Sequence, residues 1–131
     1  MSPSKGDKKA KGSSMPAMPK PDADSKMFFE SVVPDHPAVR IRPMFGNVSA
    51  FVNGNMFMGL FGPDVFVRLP DADREAVAGE GGTPFEPMPG RPMREYVVLP
   101  AEWRSDPGRV QQWAARSLEW AEELPPKQPR R

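Results

Sequence analysis

Few residues in this chain have side chains able to run a reaction. His36 is the one histidine among 131 residues, and cysteine is absent. Without cysteine there is no Cys/His nucleophile pair, no disulfide and no thiolate-bound zinc. His36 sits in the turn Pro34-Asp35-His36-Pro37. That context suits a surface turn histidine better than a general base. The carboxylates left over suit hard cations. Asp71 and Asp73 are spaced for that use, but acids at a helix start more often serve capping and the helix dipole. No Gly-x-Ser-x-Gly elbow and no His-Glu-x-x-His pattern occurs. The stretch Gly79-Glu80-Gly81-Gly82 lacks the Gly-Lys-Ser/Thr ending of a phosphate loop and follows a helical segment, so it reads as a helix stop. No catalytic residue, cofactor or metal is assigned, and the expectation leans away from an enzyme.

Two further sets could bind rather than react. Arg40, Arg42, Arg91 and Arg94 flank strand ends that contain proline. Several guanidinium forks converging on one point would hold a carboxylate or phosphate. The plainer reading is a solvated face that pairs with the fourteen acids of residues 26–124. Met44, Met56, Met58, Met88 and Met93 could line an adaptable surface, although strand spacing favours the core.

The elements that must position these residues follow from pattern. Asp24 or Ser25 can cap a helix over 26–33, which Pro34 stops. Val39 to Met44 alternates apolar residues with arginine, giving a half-buried strand that Pro43 places near an edge or a bulge. Asn53-Gly54 between two apolar runs predicts a type I′ hairpin. The implied pairs are Val52–Asn55, Phe51–Met56, Ala50–Phe57 and Ser49–Met58. One face would then carry Phe51, Met56, Met58 and Leu60, and the other Val48, Ala50, Val52, Phe57 and Phe61. Both faces are apolar and both need cover, which points to a second copy of the chain over one of them. Residues 65–69 continue as a strand, and Asp71 caps a short helix ending at Gly79. Residues 84–88 and 93–99 flank Pro-Gly-Arg-Pro as a second hairpin or a wide turn. One helical turn follows Pro100. Asp106 and Pro107 start the best-supported helix, with Val110, Trp113, Ala114, Ser117, Leu118, Ala121 and Leu124 on one stripe. The predicted class is α+β: an antiparallel sheet of about 4–6 strands with flanking N- and C-terminal helices.

Composition sets the boundaries. Proline, at 18 residues, far exceeds the usual ~5%. Residues 1–23 have no Ile, Leu, Val or aromatic side chain and read as a disordered basic arm. Residues 24–124 form the domain, and 125–131 a basic C-terminal tail. Net charge is +2 over 1–25, −4 over 26–124 and +3 over 125–131, giving +1 in all. An acidic domain is a poor duplex binder, so no specific DNA binding by the folded part is expected. Lys5, Lys8, Lys9 and Lys11 could give salt-sensitive, sequence-blind contacts with nucleic acid. No apolar run is long enough to span a membrane and no signal-type segment opens the chain, so a cytoplasmic location is expected.

Around Arg42-Pro43-Met44-Phe45-Gly46-Asn47, the following hairpin and Val65 to Pro70, the sequence resembles the N-terminal domain of the TfoX/Sxy family. Gly90-Arg91 and the Tyr96–Pro100 segment match the later part of that pattern. The family motif thus falls on Arg42, Met44, Phe45, Gly46, Gly90, Arg91 and Tyr96, with a structural or binding role. Asn47 stands where the pattern has a second glycine, and its tolerance of positive φ would preserve a turn there. The resemblance covers about 26–124 and implies a stand-alone N-terminal domain, without the C-terminal domain of the family's full-length competence regulators. It implies a non-enzymatic regulatory module acting on a protein partner, with self-association as one form of this. The alternative, from another class, is a small-ligand or anion-binding domain, enzyme or not, using arginines near the Met-Phe-Gly turn.

Overall fold

The computed structural model describes residues 21–44, 47–88 and 90–126, with only the backbone of Met44. Asp22 precedes the first described helix. Its Oδ1 accepts a hydrogen bond from the Ser25 amide at 2.8 Å and caps α1 (Ala23–Val32). The cap is therefore Asp22, not Asp24 or Ser25, and the helix begins three residues before the predicted start. A carboxylate reaches the third amide of the first turn, while Ser25 is buried and its hydroxyl faces Arg104 at 3.0 Å. Hydrogen bonds from Ser25 hold the Asp22 carboxyl below its ordinary 3.8. Residues 1–20 of the predicted disordered arm, with Lys5, Lys8, Lys9 and Lys11, and residues 127–131 of the predicted C-terminal tail lie outside the described residues.

Six strands follow: β1 (Val39–Met44), β2 (Asn47–Val52), β3 (Asn55–Phe61), β4 (Asp64–Arg68), β5 (Thr83–Pro84) and β6 (Tyr96–Val98). They form one antiparallel sheet in the order β1-β2-β3-β4-β6-β5. The outermost strands are β1 and β5, and each contains a proline, Pro43 and Pro84. Helix α2 (Asp71–Gly79) joins β4 to β5. A 3-10 turn (Ala101–Ser105) that buries Trp103 leads from β6 into α3 (Pro107–Glu122). The predicted α+β class stands, with six strands and three α-helices among the described residues.

Asn53 and Gly54 have φ of 52° and 80°, the two positive values that a type I′ turn requires. The first two pairs, Val52 with Asn55 and Phe51 with Met56, are as expected. Beyond them the register shifts by one residue between Ala50 and Phe51, so Ala50 pairs with Met58 and Ser49 with Gly59. This bulge corrects the predicted faces. An extra residue in β3 lets the neighbours Phe57 and Met58 both point into the core instead of alternating. Both are fully buried. Gly54→Val is expected to cost about 1–3 kcal/mol, because a β-branched residue is strained at that φ. The urea midpoint reads it, and an unchanged midpoint would overturn the turn assignment.

One face of the sheet is covered by helices. Helix α3 packs on β2, β3 and β4, and α1 packs on α3 and β3. Their buried side chains Phe29, Val32, Val110, Ala114, Leu118 and Ala121 meet Ala50, Val52, Phe57, Met58, Leu60, Val67 and Val97. Asp106 caps α3 by accepting from the Arg109 amide, with Pro107 in the first turn, as predicted. Ser117, on the apolar stripe, is fully buried, and its hydroxyl lies 2.5 Å from the Phe57 carbonyl and 2.7 Å from that of Arg68. Helix α2 differs from expectation at its start. Pro70 is the N-cap with no side-chain bond, and Asp71 instead accepts from Arg74. Arg74 takes the carboxylate because its own first-turn position, three residues on, faces Asp71.

Candidate functional site

Antiparallel partners share a face, so the register fixes what lies opposite the helices. One row is Arg42, Ser49, Gly59, Phe66 and Val98. Beside it run Arg40, Phe51 and Met56 on one side, and Arg68 and Tyr96 on the other. This face is apolar at its centre, as the sequence implied. Part of its cover comes from the chain itself: the segment between β5 and β6 folds back across it. Phe85, 4% exposed, stacks on Phe66 with ring centroids 3.9 Å apart and planes 12° from parallel. Phe61 and Tyr96 meet the same pair edge-on, at 5.5 Å from Phe85 and 5.7 Å from Phe66. The remainder of the segment is pinned by its backbone. The Met93 amide donates to the Phe85 carbonyl at 2.8 Å, and Met88 bridges Arg91 around a turn in which Gly90 has a φ of 77°. The segment predicted as a second hairpin or a wide turn is, among the described residues, mostly loop, with regular pairing of 83–84 to 97–98.

Beneath this strap lies a pocket of about 220 Å³. Its walls are Met56, Leu60, Phe61, Phe66, Phe85, Pro87, Met88 and Met93, with Asn47 and Ser49 adding the polar groups. None of these ten residues has an ionisable side chain. Gly59 leaves the floor open for Phe66. A Cβ there would lie 2.4 Å from Phe66 Cζ and 2.7 Å from Ser49 Oγ. Asn47 is buried, and its Oδ1 accepts from the Gly62 amide at 3.0 Å, pinning the β3–β4 turn to β2. This corrects the reason expected for asparagine at this position. Among the described non-glycine residues only Asn53 has positive φ, so Asn47 is there for its side-chain bond.

The arginines divide in two. Arg68 pairs with Glu95, Arg74 with Asp71, Arg109 with Glu80 and Asp106, and Arg116 with Asp73. Asp71 and Asp73, the two acids weighed for a cation, are thus both engaged by arginine. Arg40, Arg42, Arg91 and Arg94 have no carboxylate partner among the described residues, contrary to the plainer reading of them. Arg40 donates to the carbonyls of Pro37 and Val39. Arg42 lies over the Phe51 ring, 6.0 Å from its centroid. His36 is a turn residue, as expected: its Nδ1 accepts from the Ala38 amide at 3.0 Å and its Nε2 lies 3.2 Å from Glu122.

The family model of the TfoX N-terminal domain matches residues 32–121. The chain belongs to that family. No curated protein matches it in sequence. Of the positions that the TfoX pattern marks, Arg42 stands across the ladder from Ser49, Gly90 and Arg91 form the turn of the strap, and Tyr96 packs against Phe66 and Phe85. These residues, far apart in the chain, come to one face of the sheet and its strap in the TfoX domain, although none of them lines the pocket itself. Phe45, Gly46 and the Met44 side chain lie outside what is described. Phe61, Ser49 and Phe85 escape a sequence reading, since such residues are ordinary in strands and loops, whereas Met56, Met88 and Met93, three of the five methionines considered for an adaptable surface, line the pocket.

Tyr96 anchors the pocket's far side. Its hydroxyl donates to the Met56 carbonyl at 2.9 Å. Burial raises its pKa above the ordinary 10.0, with Arg68 opposing. A raised acid pKa contributes stability below the unfolded value, and this is lost as pH climbs past it. Tyr96 is the one tyrosine in the chain, so phenolate absorbance reports it alone. Its midpoint is expected above 10 in the folded protein and at the ordinary value in denaturant. A folded midpoint at or below the ordinary value would show that the phenol is not buried.

Proposed function

We propose that this TfoX N-terminal domain is a non-catalytic, regulatory binding module that takes a small, mainly apolar ligand between its sheet and the 85–93 strap. The pocket carries this reading: about 220 Å³, walled by aromatic and methionine side chains and free of ionisable ones. Apolar walls with a few placed polar groups are what small-molecule sites have. Without a base, acid or nucleophile on the wall, binding is what such a site can do. Methionine walls adapt to ligand shape. Met88, half exposed at the outer rim, is also one of the large apolar side chains open to solvent, with Met27 and Ile41. That supports a second component of the reading, in which a protein partner docks at the strap and senses whether the pocket is filled.

The test is thermal unfolding of the full chain against a panel of small apolar and amphipathic compounds. A ligand at 100 times its Kd adds about 2.7 kcal/mol and raises the melting temperature. Met56→Trp, which fills the pocket, should remove the shift while the free protein stays folded. A panel with no stabilising compound would sink the ligand reading and leave the partner reading, which co-purification of the intact chain addresses.

A further inference from the structure

We propose that the ligand of this pocket is an apolar molecule with a single anionic head of the carboxylate type, its head at Ser49 and Arg42 and its body under the strap. The proposal rests on the ligand-binding reading above and names the ligand class.

Ser49 supplies the first observation. It is 3% exposed and lines the pocket, yet its hydroxyl has no hydrogen-bond partner among the described residues. A buried O–H donor without an acceptor is costly, and native structures seldom keep one without reason. An oxygen of a bound ligand would satisfy it.

Arg42 supplies the second. It is the direct ladder partner of Ser49 and so stands on the pocket's face. Its side chain is exposed and lies over the Phe51 ring. Residues 26–124 carry four more acids than bases, and Arg68, Arg74, Arg109 and Arg116 hold five of those acids between them. A guanidinium left without one among the described residues, on the ladder partner of a serine whose hydroxyl has no acceptor there, makes with that hydroxyl a two-point receptor for a carboxylate. The planar fork takes the carboxylate oxygens and Ser49 adds a third donor.

Volume sets the body. An apolar cavity of about 150 Å³ takes benzene. By that scale, 220 Å³ accommodates an alkyl chain of roughly eight carbons or a phenylalkyl group. Met56, Met88 and Met93 can adjust to either.

The experiment titrates the full chain with sodium octanoate, 1-octanol and octylamine, which share a body and differ in head. Methionine methyl resonances locate the ligand and give the affinity. Octanoate is expected to bind about tenfold more tightly than 1-octanol, the scale of a hydrogen bond to a charged group, with octylamine weakest. Arg42→Gln should weaken octanoate about tenfold and leave 1-octanol unchanged. Ser49→Ala should weaken both octanoate and 1-octanol while the free protein melts at the same temperature or higher, an outcome a structural serine would not give. Equal binding of octanoate and 1-octanol, unaffected by Arg42→Gln, would overturn the head-group assignment and leave the apolar pocket standing. No binding by any of the three, or binding that persists in Met56→Trp, would overturn both.

Discussion

Gly59→Val is expected to destabilise the protein by about 3 kcal/mol, at the top of the range for overpacking. On propensity alone the sign would be opposite, since valine suits a strand interior and glycine does not. Packing decides it. The new Cβ would fall 2.4 Å from Phe66 Cζ, 2.8 Å from Phe66 Cε2 and 2.7 Å from Ser49 Oγ. The ring cannot retreat, because Phe85 stacks on it at 3.9 Å and Tyr96 abuts its edge. Shortening the obstacle should help: Phe66→Leu removes the clashing ring atoms. The double variant should then be more stable than the sum of the two single losses implies. Urea unfolding of the four proteins reads the cycle. A Gly59→Val protein as stable as the parent would mean that Phe66 does not lie across Gly59.

The second large effect tests the bulge. Phe57→Ala is expected to cost about 3–5 kcal/mol and Met58→Ala about 2–5 kcal/mol, because both side chains are fully buried on the helix side. Met56→Ala, at the half-buried pocket wall, should cost clearly less. A strand with unbroken alternation would make Phe57 and Met58 face opposite ways, so one of the neighbours would be the milder loss. Equilibrium unfolding of the three variants distinguishes the two registers. A mild loss at Met58 would restore the unbroken pairing.

The turn at Asn53-Gly54 was legible because its chemistry is local: two residues that tolerate positive φ, between two apolar runs. The bulge was not legible. Asn-Met-Phe-Met-Gly-Leu-Phe alternates plausibly as written, and only the space beneath α3, where the Ser117 hydroxyl meets the Phe57 carbonyl, favours an extra residue. That both sheet faces are apolar could be read directly. What covers the second face could not, since Phe85 sits in a proline-rich run that gives turn signals but no hint of a ring stacked on Phe66. The arginines were weighed by charge counting. Counting cannot tell which arginines take an acid, and it is Arg68, Arg74, Arg109 and Arg116 that do. Tyr96 and Arg42 drew notice through a family pattern, and the physical ground for each is a contact spanning many residues of sequence, such as the Tyr96 hydroxyl on the Met56 carbonyl.

The prolines in β1 and β5 bear on the life of the molecule in a crowded solution. A sheet with open margins is a template on which further strands, its own copies included, can be laid without limit. Pro43 and Pro84 each withhold an amide from the ladder at one of these two margins. Strand-by-strand growth into fibres therefore meets an interrupted donor row on either side. The apolar middle of the sheet can stay soft and methionine-lined while both borders resist polymerisation.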